Sequence, residues 1–153
     1  MKKVFKMFLL LIVAAFIVIQ FFRIDKTNPP IVEGNNIGAA LAVPADVSMI
    51  LSRSCADCHS NNTIYPWYSN VQPIAWFLKD HIDEGRRKLN LSEFNTYPAK
   101  KKKHKLEEIC EMVESAAMPL PSYLWIHRDA GLSDSERRAL CDWAKSGAEK
   151  IQL

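Results

Sequence analysis

The residues with the clearest capacity for chemistry form one short run, Cys55-Ala56-Asp57-Cys58-His59. Two thiols that are three positions apart lie one helical turn from each other, so each can add to one vinyl group of a haem. The histidine that follows is then held beneath the macrocycle, where an imidazole nitrogen can reach the iron. The pattern predicts one haem c, attached covalently through Cys55 and Cys58, with His59 as an axial ligand to the iron.

Three other kinds of site use the same residue types. A thiol-disulfide redox centre expects a strand before the motif and a βαβ surround, and neither is apparent. A zinc site needs two more ligands at metal spacing, but Cys110 lies more than fifty residues away without a paired neighbour. A disulfide between Cys55 and Cys58 would close a tiny loop and leave His59 unexplained. Haem attachment is therefore the favoured interpretation.

The second axial ligand is less well determined than the first. Met118 is the first choice, because Pro119 and Pro121 make the loop after it stiff and extended. The alternative for Met118 is a role as a core filler. His81 is the runner-up, since it lies on the apolar face of a predicted helix. His127 is a weaker candidate, and His104, in the lysine run, is expected to be exposed.

The pattern of residues 1–24 predicts an N-terminal signal anchor. Three lysines, at positions 2, 3 and 6, precede an apolar run from Met7 to Phe22. No small-x-small cleavage site follows this run closely, which favours an uncleaved transmembrane helix over a cleaved signal peptide. The lysines should remain cytoplasmic. The sequence thus predicts a single-pass protein of a bacterial cytoplasmic membrane, with its haem domain on the periplasmic, extracytoplasmic side.

The rest of the chain divides into a linker, residues 25–43, and one all-helical domain, residues 44–153. Apolar periodicity predicts helices leading into Cys55, at about 74–88 and at about 103–117. A capping box at Ser133–Glu136 opens the last helix. Cys110 and Cys141 lie on inward faces of the last two long helices, either as a disulfide or as two buried thiols.

The order of these features resembles a cytochrome c domain. A short helix enters the attachment site, a Met-Pro pair follows about sixty residues later, and a capped helix closes the chain. The sequence is more specifically similar to the bacterial haem-binding domain family. The resemblance rests on Cys55 to Val71, on the Gly-x-x-x-Leu-Asn segment from Gly85 to Asn90, and on Met118 to Tyr123, and it covers about residues 44–146. It implies an all-α, cytochrome c-like fold and haem binding, but no reaction.

The charge and composition of the chain limit the classes of molecule that it is expected to bind. Twenty basic residues against 17 acidic residues leave a formal charge of only +3, and no basic stripe interleaved with aromatics points to nucleic acid. The lysine run 100–103 is either a solvated helix start or a docking patch for an acidic redox partner. Four aromatic residues are expected either in the haem crevice or in ordinary core packing: Trp67, Tyr68, Trp76 and Trp125.

These observations together favour a membrane-anchored electron carrier over an enzyme. Histidine-methionine ligation leaves iron six-coordinate, which suits one-electron transfer between redox partner proteins. The rival class is a haem-based sensor or peroxidase-like accessory protein, in which no side chain closes the sixth position and small gases or peroxide can bind.

Overall fold

The computed structural model describes residues 1–152, which form eight α-helices, three 3₁₀ helices and no β-strand. The prediction of an all-helical protein is confirmed for this part of the chain. The α-helices are α1 (Lys2–Ile19), α2 (Ile37–Ala40), α3 (Ala45–Ser54), α4 (Ala56–His59), α5 (Ile74–Lys88), α6 (Ala99–Glu114), α7 (Pro121–Leu124) and α8 (Asp134–Lys150). The 3₁₀ helices cover Trp67–Asn70, Phe94–Thr96 and Arg128–Ala130.

The N-terminal helix does not match the predicted membrane anchor. At about 1.5 Å per residue, the 18 residues of α1 extend about 27 Å, and Lys2, Lys3 and Lys6 lie within that length. The hydrocarbon core of a bilayer is about 30 Å thick. Within residues 1–152, no helix combines the length and the apolar character that crossing a membrane requires. This finding contradicts the single-pass anchor and the membrane localisation that rested on it.

The segment interpreted as a linker lies along the helical domain. Just before this segment, the side-chain amide of Gln20 makes two hydrogen bonds to the backbone of Gln72. It donates to the Gln72 carbonyl and accepts from the Gln72 N–H. Further on, the Asn28 side chain donates to the carbonyl of Thr63 at 3.0 Å. Ile37 is buried, and its N–H donates to the carbonyl of Leu91 at 2.8 Å. The chain before α3 therefore contacts the domain at several points rather than leading freely away from it.

The hydrophobic core lies where α6 and α8 pack along each other, with α3 against them. The buried face of α6 consists of the four residues that periodicity predicts: Leu106, Ile109, Cys110 and Val113. From α8, Leu140 and Ala144 are fully buried against this face. A disulfide between Cys110 and Cys141 joins the two helices. These helices form one wall of the candidate site.

The last helix begins as the sequence predicts. The side chain of Ser133 accepts from the N–H of Glu136, and the Glu136 carboxylate accepts from the Ser133 N–H at 2.8 Å. Arg53, near the end of α3, donates to the same carboxylate at 2.7 Å. The hydrogen bond from the Ser133 backbone, followed by that from Arg53, lowers the pKa of Glu136 to about 2. The Arg53–Glu136 ion pair connects α8 to the helix that leads into the cysteine motif.

Two predicted features differ from the structure. Helix α6 begins at Ala99, directly after Pro98, and ends at Glu114 because Ala116 adopts a left-handed conformation, with φ at 56°. On α5, Ile74 and Phe77 are exposed although they belong to the apolar pattern of this helix. The buried residues of α5 are Ala75, Ile82 and Gly85, so the face that packs is narrower than the apolar pattern of the helix.

Candidate cofactor site

The cysteine motif folds as a single helical turn directly after α3. Cys55 separates α3 from α4, and its carbonyl accepts from the N–H groups of Cys58 at 3.2 Å and His59 at 2.9 Å. This turn keeps the two cysteine side chains close to each other. Both are free thiols, and both line the same cavity. The turn therefore brings two free thiols to the wall of one cavity.

The cavity beside this turn has a volume of about 470 Å³, within the usual range for cofactor sites of about 300–1,000 Å³. Its wall combines the cysteine motif with apolar side chains from α3, α6, α8 and the loop after α6. Those apolar residues include Leu51, Ile109, Met112, Val113, Leu120 and Leu140. A largely apolar cavity with a few sulfur and nitrogen donors suits a flat aromatic macrocycle that binds a metal.

His59 is held in one orientation by two backbone carbonyls. Its Nδ1 lies 3.1 Å from the carbonyl oxygen of Gly85 and 3.0 Å from that of Leu89, so Nδ1 carries the proton and donates to them. The lone pair is then on Nε2, the nitrogen available to a metal. Burial lowers the pKa of His59, although both carbonyls oppose this shift. His59 is thus neutral and oriented, as an iron ligand must be.

A glycine brings α5 against the cysteine motif. A Cβ atom added at Gly85 would lie 2.5 Å from the carbonyl oxygen of Cys58, a distance that such atoms do not adopt in proteins. The same close approach lets the Gly85 carbonyl accept from His59. Gly85 is therefore required by packing at the site. Its place in the Gly-x-x-x-Leu-Asn segment was noted in the sequence, but its contact with Cys58 was not foreseen.

The two thiols are poor candidates for disulfide exchange. Burial, with a smaller contribution from Cys58, raises the pKa of Cys55 to about 12. Burial, with a smaller contribution from Asp57, raises the pKa of Cys58 to about 11. Exchange requires a thiolate, which reactive cysteines obtain through a lowered pKa. The helices around the motif also lack the strand that a thiol-disulfide centre needs.

Met118 lies on the same cavity as His59. It follows α6, and its N–H donates to the carbonyl of Met112 at 3.0 Å, which folds the loop back toward the helix end. Its side chain is half-buried. The structure therefore brings the predicted axial pair to one cavity, while their ligand roles remain a prediction.

The sequence model of the haem-binding domain family matches residues 14–146, most of the chain. The chain belongs to the haem-binding domain family. The matched region begins within α1 and includes the segment from residue 25 to residue 43, so it extends further toward the N-terminus than the resemblance seen in the sequence. No curated protein and no solved structure shows significant similarity to the chain.

The other histidines of this haem-binding domain differ in position. His81 lines the cavity, and its Nδ1 lies 2.7 Å from the carbonyl oxygen of Phe77 in its own helix, which leaves Nε2 for other contacts. His127 is not among the lining residues and pairs with the hydroxyl of Tyr68 at 2.8 Å. His104 lies on the outer side of α6, 3.1 Å from the carboxylate of Glu108. His81 therefore remains the alternative second ligand.

The four aromatic residues considered for the haem crevice lie elsewhere. Among residues 1–152, the side chains lining the cavity include none of Trp67, Tyr68, Trp76 and Trp125. Trp67 and Trp125 are mostly exposed, at 75% and 79%. The aromatic residue that does line the cavity is Tyr123, from the Met118–Tyr123 run.

Arg86, next to Gly85 on α5, supports the site through three long-range hydrogen bonds. Its guanidinium donates to the carbonyl of Ser60 at 2.8 Å, to the Asn28 side chain at 2.7 Å and to the Thr63 hydroxyl at 2.8 Å. It thereby connects α5 to the segment after His59 and to the N-terminal segment. These partners lie 23 to 58 positions away in sequence, so no local pattern could have revealed them.

Proposed function

We propose that this haem-binding domain holds one haem c covalently through Cys55 and Cys58, with His59 and Met118 as axial ligands, and carries single electrons between partner proteins. The observation that carries the proposal is the arrangement at His59. Its Nδ1 is fixed by two carbonyls, its Nε2 is available, and two free thiols lie on the same cavity.

The state of the thiols supports covalent attachment. Each attachment adds one S–H across a vinyl double bond: a carbon–sulfur bond forms, the hydrogen goes to the other vinyl carbon, and no oxidant is consumed. Burial raises the pKa of both Cys55 and Cys58, which lowers the fraction of thiolate available for disulfide exchange. Both thiols belong to one helical turn and line the same cavity.

The ligand set supports electron transfer. When bound, haem supplies an iron centre that accepts and releases one electron. His59 and Met118 would hold the iron, and the thioether of Met118 would raise the reduction potential and keep small ligands from binding. The partners would be redox proteins, and the exposed lysines at the start of α6 offer a surface for an acidic one.

Covalent attachment is tested by removing the thiols. Wild-type protein, expressed with a haem-maturation system, is expected to keep a haem-stained band in denaturing electrophoresis and to gain the mass of one haem. The double variant Cys55→Ala/Cys58→Ala should lose both signals completely. Each single variant should retain haem through one remaining bond.

The other two cysteines provide the matched control. Cys110 and Cys141 lie outside the cavity lining, so Cys110→Ser/Cys141→Ser should keep its haem under denaturing conditions. Its lower stability, by about 3–4 kcal/mol for a loop of this length, does not obscure a covalent signal. Wild-type protein whose Cys55 and Cys58 thiols can be alkylated after maturation would contradict the proposal.

The role of Met118 is tested by absorption spectroscopy. Wild-type ferric protein should show the weak sulfur-to-iron charge-transfer band near the red end of the spectrum. Met118→Ala should abolish that band, lower the reduction potential and increase carbon monoxide affinity of the ferrous form at least about tenfold, because the sixth position opens. Met49, which is exposed on α3, provides the control variant Met49→Ala. A high-spin wild-type spectrum would instead favour the sensor or peroxidase-like class.

A further inference from the structure

A single side-chain contact links the Met118 loop to the cysteine motif. The hydroxyl of Tyr123 donates to Oδ2 of Asp57 at 2.8 Å, across 66 positions of sequence. Asp57 lies between Cys55 and Cys58, and Tyr123 follows Met118 by five positions. Asp57 and Tyr123 both line the cavity. The bond therefore joins the cysteine motif and the segment after Met118 at the wall of the cavity.

The orientation of the Asp57 carboxylate and the protonation of the Tyr123 hydroxyl both favour this hydrogen bond. The other carboxylate oxygen of Asp57, Oδ1, accepts from the N–H of Ile64 at 3.1 Å, which fixes the plane of the carboxylate. Burial, followed by the hydrogen bond to Asp57, raises the pKa of Tyr123 far above its usual value. A tyrosine is already protonated at neutral pH, and the raised pKa keeps the Tyr123 hydroxyl a donor in alkaline solution as well.

A second contact supports the same loop at its other end. The ring of His127 stacks on that of Tyr123, with centroids 4.2 Å apart and planes within 8°. Nε2 of His127 lies 2.8 Å from the hydroxyl of Tyr68, a buried residue in the segment after the cysteine motif. The stretch from Met118 to His127 is therefore held by two residues from the segment that contains and follows the haem attachment site.

We propose that Tyr123 is a positioning residue, whose hydrogen bond to Asp57 holds the loop from Met118 to His127 across the haem and keeps the sixth position closed. The proposal rests on the function proposed above, and it names the residue that decides between a closed electron carrier and an open, ligand-binding haem. Tyr123 acts through the loop that carries Met118, not by touching the iron.

The variant Tyr123→Phe tests this role, because it removes the hydroxyl and keeps the ring that stacks on His127. A hydrogen bond to a charged group is strong enough that its loss should shift the loop toward its open form on the order of ten- to hundredfold. Carbon monoxide affinity of the ferrous protein should rise on the order of tenfold. The sulfur-to-iron band should weaken, while the covalently bound haem content is unchanged.

Tyr65→Phe is the matched control. The Tyr65 hydroxyl is buried but has no hydrogen-bond partner among residues 1–152, and Tyr65 does not line the cavity. Its removal should leave the spectrum and carbon monoxide affinity unchanged. A second variant, Asp57→Ala, removes the acceptor of the same bond and also the bond from the Ile64 N–H. Adding Tyr123→Phe to Asp57→Ala should therefore have little further effect on carbon monoxide affinity, because the bond that Tyr123 makes is already absent.

The outcomes separate this inference from the assignment of Met118. If Met118→Ala opens the sixth position but Tyr123→Phe leaves carbon monoxide affinity within twofold of wild type, the inference is overturned and the ligand assignment stands. If Tyr123→Phe increases the affinity while Met118→Ala has no effect, the loop is held as inferred and another ligand closes the site. Equal responses to Tyr65→Phe and Tyr123→Phe would also overturn the inference.

Discussion

Replacing Gly85 with alanine is expected to prevent most of the protein from attaching haem. The new methyl group would lie 2.5 Å from the Cys58 carbonyl oxygen and 3.1 Å from both the Cys58 carbonyl carbon and its Cβ. Most of these atoms are backbone, so α5 and the cysteine motif must move apart. That movement would separate His59 Nδ1 from the Gly85 carbonyl, and overpacking of this kind costs about 1–3 kcal/mol.

The measurement is haem content per polypeptide, by intact mass and by absorbance, with the free energy of unfolding from urea denaturation. Gly147→Ala is the matched control, because Gly147 also lies inside a helix. A Cβ there would meet the end of the Leu41 side chain at 3.1 Å, and that side chain can rotate away. Normal haem content in Gly85→Ala would show that the close packing of α5 on Cys58 is not needed at the site.

Replacing His59 with alanine is expected to leave any attached haem without its first axial ligand. The variant removes Nε2, the nitrogen left available when Nδ1 donates to Gly85 and Leu89. Ferric protein should change from a low-spin to a high-spin spectrum. Added imidazole should restore the low-spin spectrum, since it can occupy the space left by the side chain and donate to the same two carbonyls.

His81→Ala is the comparison for this experiment. His81 also lines the cavity, but its Nδ1 is bound to the Phe77 carbonyl of its own helix. We expect the His81 variant to keep the wild-type low-spin spectrum. If His81→Ala gives the high-spin spectrum, His81 is an iron ligand and the second ligand is not Met118. A low-spin spectrum of His59→Ala without imidazole would refute the role of His59.

Much of the candidate site could be predicted from the sequence, because several of its features depend on residues that are close together in the chain. The spacing of Cys55, Cys58 and His59 within one helical turn is a property of five consecutive residues. The periodicity of α6 identified its buried face, and the serine and glutamate of the capping box identified the start of α8. Family membership, which implies haem binding, was recognised from the same short segments and agrees with the family match.

The predicted membrane anchor was wrong for a physical reason. The prediction rested on the apolar run from Met7 to Phe22 and placed the anchor at residues 1–24. In the structure, the helix ends at Ile19, and Lys2, Lys3 and Lys6 belong to it. The following residues turn to pair with the helical domain, as Gln20 does with Gln72. Hydropathy counts apolar residues, but it does not report where a helix ends or what its end contacts.

What the sequence determined by itself was the set of residues with chemical capacity and the helices that carry them. The tertiary structure decided which of these residues meet: Gly85 against Cys58, the carbonyls of Gly85 and Leu89 at His59, and Tyr123 at Asp57. These partners are separated by 26 to 66 positions, and helical periodicity carries no information about which face meets which partner. Only the packing of the helices makes those contacts.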